Sequence, residues 1–314
     1  MDQRRIFAFL KDRIAAGQAC ALVTVLAVEG SAMRNPGTHM AVSEDGSFAG
    51  SLSGGCIENA VVAEACAALT QRQPRIVRFG AGSPYLDIRL PCGGGLDIHF
   101  QPLADGMVAR DCLAAIEARR PYSLAIGPHG VECRAGWHPA PFDPAGGTAS
   151  FGYFPQARLI LVGHGEGLSA LALLARTCAL EVAVLTPDER AQDRLQSLGF
   201  PVTKLNRTTD TALLHSDPWT AIAFLFHDHD WEIALLRRAL ELPHFYVGAM
   251  GGRRAHAARC EALLAAGVPA SAIATLHAPI GLFHSSRDPE TLALSALAEI
   301  VRVYQATDFG SALA

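Results

Sequence analysis

The chain has 314 residues, half of them hydrophobic, which is enough for two domains that each have a core. Its formal net charge of −4 gives no general electrostatic attraction to nucleic acid or to anionic lipid. No apolar run approaches the length that crosses a bilayer, and eight cysteines are too sparse for a disulfide scaffold. These features predict a soluble, cytoplasmic protein with free thiols and with neither nucleic-acid nor membrane partners.

The first part of the chain has helix and strand patterns in a mixed order. Residues 1–17 have apolar side chains at helical spacing, and residues 19–30 have the β-branched composition of a buried strand. A turn-rich segment follows, and then a Gly-Gly-Cys sequence that leads into a second helix. Residues 75–80 and 95–103 are predicted strands. We therefore expect residues 1–136 to form a mixed α/β domain.

Strands and helices alternate in the second part of the chain. Residues 137–156 are rich in Pro and Gly and predict a linker, with room for a short strand. From residue 157 onward four strand–helix pairs follow one another, which predicts a parallel sheet with helices on both faces. A last helix begins at residues 288–290, where an acid precedes Pro at the first helical position. Residues 157–314 are thus expected to form a Rossmann-like, doubly wound domain, and the protein is of the α/β class.

A Gly-x-Gly turn follows the first strand of this second domain and precedes a helix. Gly163 and Gly165 flank His164, and small residues there allow a phosphate-bearing ligand to approach the positive end of the helix. The alternative is a tight turn without a ligand. A dinucleotide is less favoured, because Leu168 stands at the third glycine position and Thr186 stands where an acid would hold a ribose.

Two cysteines lie beside glycines in predicted loops. Cys56 directly precedes a helix, whose dipole favours the thiolate, and Cys92 is followed by three glycines. Thiolates of this kind suit soft metals or sulfur chemistry. The alternative is that both are small packing residues in tight loops. Other cysteines occur in apolar strands or helices and are expected in the core: Cys20, Cys66, Cys112, Cys178 and Cys260.

Polar residues follow a later strand of the predicted parallel sheet, at the edge where such sheets bind ligands. His227 and Asp228 belong to the sequence FHDHD at that strand's end. They predict a polar site, with a metal as one possible occupant. The alternative is a polar turn whose acids cap the next helix.

Two further segments of this domain also carry candidate binding residues. Arg253 and Arg254 follow Gly251 at a helix start, which predicts anion binding unless they are simply solvated. His277 lies in the irregular segment 276–282, where its side chain hydrogen-bonds either a ligand or a backbone carbonyl. The sequence leaves these alternatives open.

Together these segments resemble the XdhC/CoxI family of xanthine dehydrogenase accessory factors over nearly the whole chain. In the first half the resemblance is carried by GSAMRNPGTHM, GSLSGGCIENAVVAEA and PCGGGLDI. In the second half it is carried by LVGHGEG, FHDHD, YVGAMGGRRAHAAR, LHAPIGL and PETLALSALAEIV. The chain departs from the family pattern in the Gly-x-Gly turn, at Thr186 and at residues 283–286.

Members of that family act as chaperones for the molybdenum cofactor, molybdopterin. They bind the cofactor as cargo, cooperate with a cysteine desulfurase that supplies its sulfido ligand, and insert it into an apo molybdenum hydroxylase. The resemblance implies the same role here, without turnover of the chain's own, and a homodimer. It implies a cofactor-binding set, with the two cysteines as possible molybdenum contacts: Arg34, Gly54, Gly55, Cys56, Cys92, Gly163, His164, Gly165, His227, Asp228, Gly251, Arg253, Arg254 and His277.

Two other functions remain open. An NAD(P)-dependent oxidoreductase would need a proton-transfer residue and a ribose-binding acid, neither of which the sequence supplies convincingly, so NAD(P) is not expected. A cofactor-free adaptor would dock a desulfurase or an apo-enzyme without holding cargo. Cofactor content after anaerobic co-expression with a molybdopterin pathway separates the chaperone from the adaptor.

Overall fold

The structure is a computed structural model that describes residues 3–30, 34–52, 55, 57–83, 93–283 and 288–311. The chain divides into two compact units, Met1–Pro155 and Gln156–Ala314. Within the ranges just given, no helix is both long and apolar enough to span a membrane.

The first unit contains two antiparallel sheets and three helices among its described residues. Its strands are β1 (Cys20–Glu29), β2 (His39–Ser43), β3 (Phe48–Gly50), β4 (Arg75–Gly80), β5 (Gly95–Pro102), β6 (Tyr122–Gly127), β7 (Gly130–Ala135), β8 (Ala140–Asp143) and β9 (Thr148–Tyr153). Its helices are α1 (Gln3–Ala15), α2 (Glu58–Gln71) and α3 (Met107–Glu117). The larger sheet has the strand order β3-β2-β1-β5-β4, and the smaller has the order β7-β6-β9-β8. Helix α2 packs on one face of the larger sheet, and α1 and α3 pack on the other.

Residues 137–156, for which the sequence predicted a linker, contribute two strands to the smaller sheet. Strand β9 pairs with β6, and Ala149 and Phe151 join an apolar cluster below it. Pro141 is tolerated because β8 is the outer strand, where a missing N–H does not break a ladder. The glycines lie in the β8–β9 turn, where Asp143 accepts hydrogen bonds from the backbone N–H groups of Ala145 and Gly146. Pro and Gly here mark a hairpin, and the first unit extends to Pro155.

Three connections of the larger sheet leave from one edge. Strands β1, β3 and β4 end there, and β2 and β5 begin there, because neighbouring strands run antiparallel. The connection after β1 contains Arg34, the connection after β3 leads into α2, and the connection after β4 leads into β5. The segments that the sequence selected in the first unit therefore belong to connections at a common edge.

The second unit confirms the predicted Rossmann-like architecture. Its strands are β10 (Arg158–Gly163), β11 (Glu181–Thr186), β12 (Val202–Lys204), β13 (Thr220–Leu225) and β14 (Tyr246–Ala249). Its helices are α4 (Glu166–Thr177), α5 (Glu189–Ser197), α6 (Ile233–Glu241), α7 (Arg253–Ala265), α8 (Ala270–Ile273) and α9 (Pro289–Ala306). All strand pairs are parallel, in the order β12-β11-β10-β13-β14. Helices α4 and α9 cover one face of the sheet, and α6 and α7 cover the other.

Helix α9 begins as the sequence predicted. Asp288 is its N-cap, and its Oδ1 accepts a hydrogen bond of 2.7 Å from the backbone N–H of Thr291. Pro289 follows at the first helical position, where its missing N–H costs nothing. This start places Ser295 and Glu299 on the buried face of the helix.

Candidate functional site

The carboxyl ends of β10 and β13 meet at the Gly-x-Gly turn. Gly163 has φ of +152°, and a Cβ there would overlap the carbonyl oxygen of Leu225 on β13, so pairing of the two strands requires this glycine. Gly165 has φ of +89° and is the N-cap of α4, which no side chain caps. A Cβ on Gly165 would have no atom within 4 Å, so the start of α4 is open. Uncapped N–H groups beside open space suit an anionic ligand.

The polar residues after β13 lie close to this turn. The His164 ring contacts Phe226 edge-on at 5.5 Å between centroids and lies 5.8 Å from the His227 ring. His227 and Asp228 are exposed, and Asp228 Oδ1 accepts a hydrogen bond of 3.0 Å from the backbone N–H of Asp230. The structure thus brings His164 and His227 together and uses Asp228 in a local turn. In the described part of the chain no three His, Cys, Asp or Glu side chains are grouped to hold a metal ion.

The second anion candidate is the start of α7. Its N-cap, Gly252, has no side-chain cap, and Arg253 and Arg254 are exposed on the first turn. Neither arginine has an ion-pair partner among the described residues. Gly251 has φ of +133°, and a Cβ there would lie only 3.1 Å from that of Ala255. Two free cations and an uncapped helix start therefore lie together after β14.

A buried ion pair holds the connections after β13 and β14, and sequence analysis missed it. Arg259 Nε lies 3.1 Å from Glu232 Oε2, and Arg259 Nη2 lies 3.3 Å from Glu232 Oε1. Arg259 Nη2 also donates 2.7 Å to the carbonyl of Met250, and both charged side chains are fully buried. A signal was available in the sequence, because Arg259 lies four residues before the buried Leu263, on the same face of α7.

His277 lies in a segment that extends the parallel sheet. Its backbone forms a parallel bridge with Gly248 of β14, so the segment after α8 crosses the free edge of the sheet. The imidazole stacks on Tyr246 at 4.4 Å between centroids and an interplanar angle of 24°. Its Nδ1 lies 3.6 Å from Glu299 Oε1. Neither of the two partners expected from the sequence, a ligand or a backbone carbonyl, is the group that His277 Nδ1 faces.

Glu299 is an ionised carboxylate inside this cluster, and sequence analysis did not select it. Its Oε2 accepts hydrogen bonds from the Tyr246 hydroxyl at 2.6 Å and from the backbone N–H of Gly281 at 2.8 Å. Burial by itself raises the pKa of Glu299, but these two donors together with His277 outweigh it and lower the pKa to about 2. Burial and the Glu299 hydrogen bond raise the pKa of Tyr246, so its hydroxyl stays a donor.

In the first unit, Glu58 organises the connection between β3 and α2. Its buried carboxylate accepts hydrogen bonds from the Ser51 hydroxyl at 2.6 Å and from the backbone N–H groups of Leu52, Gly55 and Ile57 at 3.2, 2.9 and 3.2 Å. Gly55 has φ of +116°, and a Cβ there would have no atom within 4 Å. The carboxylate therefore holds the described residues around position 56 in place.

Part of the predicted set lies outside the described residues. These positions are Gly54, Cys56 and Cys92. Of the remaining first-unit candidates, Arg34 is half-buried, and its Nε is buried without a hydrogen-bond partner among the described residues. An unpaired guanidinium N–H is costly unless a ligand or a neighbouring group accepts it.

Arg78 explains one glycine of the PCGGG segment. Its guanidinium bridges Asp97 at 3.1 Å and also pairs with Glu29, so it joins β4, β5 and β1 where their connections leave the sheet. A Cβ on Gly95 would lie 2.6 Å from Arg78 Nη2. Gly95 is therefore required by a structural brace.

The core prediction for the other cysteines holds in part. Cys20 and Cys112 are buried, and Cys66 and Cys260 are partly buried, whereas Cys178 is exposed. Cys178 is the C-cap of α4, beyond the last buried turn, which is why its apolar neighbours in sequence do not bury it. The six cysteines that the structure describes are all free thiols.

Features of the second strand argue against a bound dinucleotide. The Thr186 side chain is fully buried, and its hydroxyl accepts a hydrogen bond of 3.1 Å from the backbone N–H of Asp188. Asp188 is the N-cap of α5 and accepts from the backbone N–H groups of Arg190 and Ala191. The acid nearest to the ribose position is therefore engaged as a helix cap.

The fold and both edges define a two-unit α/β protein with a Rossmann-like second unit, and known proteins share this organisation. Residues 159–300 match the XdhC Rossmann domain, and residues 13–80 match the XdhC and CoxI family. The chain is 32% identical to the molybdenum cofactor insertion chaperone PaoD of Escherichia coli, over 98% of this chain and 91% of PaoD. It therefore belongs to the XdhC and CoxI family.

More distant relatives agree with this assignment. A probable xanthine dehydrogenase component of Bacillus subtilis is 25% identical, over 90% of this chain and 92% of the relative. A crystal structure described as a xanthine dehydrogenase from Bacillus halodurans has a TM-score of 0.75 at 20% identity and covers 96% of each chain. At that identity the second likeness establishes the fold alone.

Proposed function

We propose that this protein is a molybdenum cofactor chaperone. It binds molybdopterin as cargo and inserts it into an apo molybdenum hydroxylase of the xanthine dehydrogenase or aldehyde oxidase type. The observation that carries the proposal is the 32% identity to PaoD, which extends over 98% of this chain and so includes both units. The turnover of a metabolite by the chain itself is not part of the proposal.

The second unit supplies cationic and N–H donors for the anionic part of the cargo. Arg253 and Arg254 are exposed on an uncapped helix start, so helix dipole and charge act in the same direction. The open start of α4 at Gly165 offers a second set of N–H groups. We assign the phosphate of the pterin to these donors, with His164 and His227 beside them as polar contacts.

The first unit supplies soft ligands for the metal end of the cargo. Cys56 and Cys92 lie outside the described residues, and the proposal that they contact molybdenum rests on their glycine-rich sequence context. Glu58 supports it, because its carboxylate fixes Gly55 and Ile57, the neighbours of Cys56. Arg34, with its unpartnered buried Nε, is the cation that we assign to the same ligand.

The proposal includes two protein partners besides a second copy of the chain. A cysteine desulfurase supplies sulfur to the bound cofactor, and the apo-hydroxylase receives it, both in the cytoplasm. Support for these partners, and for a homodimer, comes from the motifs shared with the family. Pull-down of a tagged chain with each purified partner, with and without cofactor, tests them one by one.

The decisive experiment is anaerobic titration of the purified chain with molybdenum cofactor, followed by transfer to an apo-hydroxylase. We expect saturable binding and activation of the hydroxylase that depends on the loaded chain. Binding of partners without any cofactor binding would favour the adaptor instead. Tight binding of a nicotinamide nucleotide without cofactor binding would favour an oxidoreductase.

The first prediction concerns the arginines at the start of α7. The Arg253→Ala/Arg254→Ala double variant loses about 1–3 kcal/mol of cofactor binding, because charge-assisted hydrogen bonds to the phosphate are removed. The loss is measured by anaerobic titration. The control is Arg4→Ala/Arg5→Ala, which removes the same charge from the exposed first turn of α1. Equal affinity of the two double variants would contradict the assignment.

The second prediction concerns the thiol of Cys56. Cys56→Ser retains size but removes the soft donor, so it lowers cofactor retention or transfer and leaves unfolding unchanged. Cys92→Ser acts in the same direction. Cys66→Ser is the control, because Cys66 is partly buried against the core and its change lowers stability instead. A Cys56→Ser chain that carries and delivers cofactor at the wild-type level would show that this thiol has no part in binding.

A further inference from the structure

The backbone of His277 is fixed at the free edge of the parallel sheet. Its N–H donates to the carbonyl of Val247, and its carbonyl accepts from the N–H of Ala249, each at 2.9 Å. The paired residue of β14 is Gly248, where a Cβ would overlap the Tyr246 hydroxyl, so the phenol ring lies along β14 toward His277. His277 is therefore held close to the end of β14, the strand after which Arg253 and Arg254 begin α7.

The surroundings of the imidazole select one tautomer. Both neighbours of Glu299 Oε2 are donors, the Tyr246 hydroxyl and the backbone N–H of Gly281. The remaining oxygen, Oε1, faces His277 Nδ1 at 3.6 Å. An ionised carboxylate has only acceptors to offer, so an unprotonated Nδ1 would place two lone pairs against each other. The neutral imidazole therefore has its proton on Nδ1 and a lone pair on Nε2.

The second ring nitrogen is available for a ligand. His277 Nε2 has no hydrogen-bond partner among the described residues, and it is not one of their buried unpaired atoms. The side chain is 32% exposed, although one ring face is stacked on Tyr246. A fixed ring with a carboxylate behind Nδ1 thus presents an acceptor at Nε2.

We infer that His277 accepts a hydrogen bond at Nε2 from a ring N–H of the cargo, and that Glu299 is the positioning residue that makes Nε2 an acceptor. This inference rests on the proposed function and names the part of the cargo that this cluster binds. An acceptor at Nε2 repels a phosphate oxygen, so the phosphate goes to the arginines and the heteroaromatic ring goes to His277. A metal at Nε2 would need further ligands, and none are grouped with His277 in the part of the chain that the structure describes.

Two parts of a molybdenum cofactor carry suitable donors. The pterin ring has amino and amide N–H groups, and the cytosine of a dinucleotide form has an amino group. Both are flat heteroaromatic donors of the same chemical class. Titration with purified molybdopterin, with and without the cytosine nucleotide, distinguishes them.

The tautomer is tested on the cofactor-free full-length chain by nitrogen NMR of the histidine rings. We expect His277 to show a protonated Nδ1 and an unprotonated Nε2. Glu299→Gln places an amide near Nδ1 and allows the opposite tautomer, which a purely structural role of Glu299 would not predict. A wild-type chain with its proton on Nε2 overturns the inference.

Binding is tested with His277→Phe, which retains a flat ring against Tyr246 and removes the acceptor. Loss of one hydrogen bond weakens binding about five-fold. Weaker binding of both cofactor forms assigns the pterin as donor, and weaker binding of the dinucleotide form alone assigns the cytosine. His215→Phe is the control, because His215 is exposed in the segment before β13.

The outcomes separate this inference from the proposed function. A wild-type chain that binds neither cofactor form overturns the proposed function and the ligand assigned to His277 with it. A wild-type chain that binds cofactor, together with a His277→Phe chain that binds both forms equally well, overturns the inference alone. If Glu299→Gln does not fold, the wild-type tautomer and the His277→Phe titration still decide the question.

Discussion

Arg259→Met lowers the free energy of unfolding of the second unit by about 3–5 kcal/mol, the usual cost of breaking a buried ion pair. The guanidinium and the Glu232 carboxylate are both fully buried, so the variant leaves a buried charge without its partner. The contact of Arg259 with the Met250 carbonyl is lost as well, which releases the connection between β14 and α7. Denaturant unfolding of the full-length chain, followed by circular dichroism, measures the change.

Two matched variants identify the cause of this loss. Arg259→Met combined with Glu232→Leu removes both charges, and its stability should return most of the way to that of the wild type. Arg237→Ala removes a cation from the exposed pair with Glu241 on α6 and should change stability by less than about 0.5 kcal/mol. If Arg259→Met behaves like Arg237→Ala, the buried pair is not what holds these connections.

Glu58→Ala has the second large effect, and it acts on the first unit. The carboxylate accepts from the Ser51 hydroxyl and from three backbone N–H groups, and alanine leaves these donors without an acceptor in a buried loop. We expect a loss of about 2–4 kcal/mol, since hydrogen bonds to a charged group contribute more than neutral ones. The change is measured as a shift of the unfolding midpoint of the full-length chain.

A second measurement links this loop to the proposed cargo. Glu58→Ala should also lower cofactor retention, at a temperature where the variant is still folded, because residues on both sides of Cys56 lose their anchor. Glu117→Ala, an exposed glutamate at the end of α3, is the control and should change neither property. Retained stability in Glu58→Ala would show that the loop is held by other contacts.

Local pattern was sufficient for most elements of this fold. The β-branched run at Cys20–Glu29 and the alternation after Arg158 report burial along short stretches of chain, and burial is what periodicity encodes. The N-cap acid and Pro of α9 likewise act within one helical turn. The segment at residues 137–156 was misinterpreted because Pro and Gly mark both linkers and hairpins, and only pairing of β9 with β6 separates the two.

The predicted site residues were found where their chemistry depends on neighbours in sequence. Gly165, Arg253 and Arg254 stand at helix starts, and a strand–turn–helix pattern is enough to place them there. Gly163 was selected for a ligand, but its most immediate requirement is close pairing with Leu225 of β13. Sequence alone does not show which partner makes a glycine necessary, because that partner comes from another part of the chain.

The sequence by itself determined the α/β class, the Rossmann-like second unit and the family, because each follows from local pattern or from motifs in order. Only the tertiary structure decided which charged residues act together. Arg259 and Glu232 are 27 residues apart, and Arg78 and Glu29 are 49 apart, so no local pattern predicts that they meet. Glu299 looked like one more acid on a helix until the chain after α8 returned to the sheet edge and placed His277 beside it. A buried charge is stable only with a partner, and folding determines which residue that partner is.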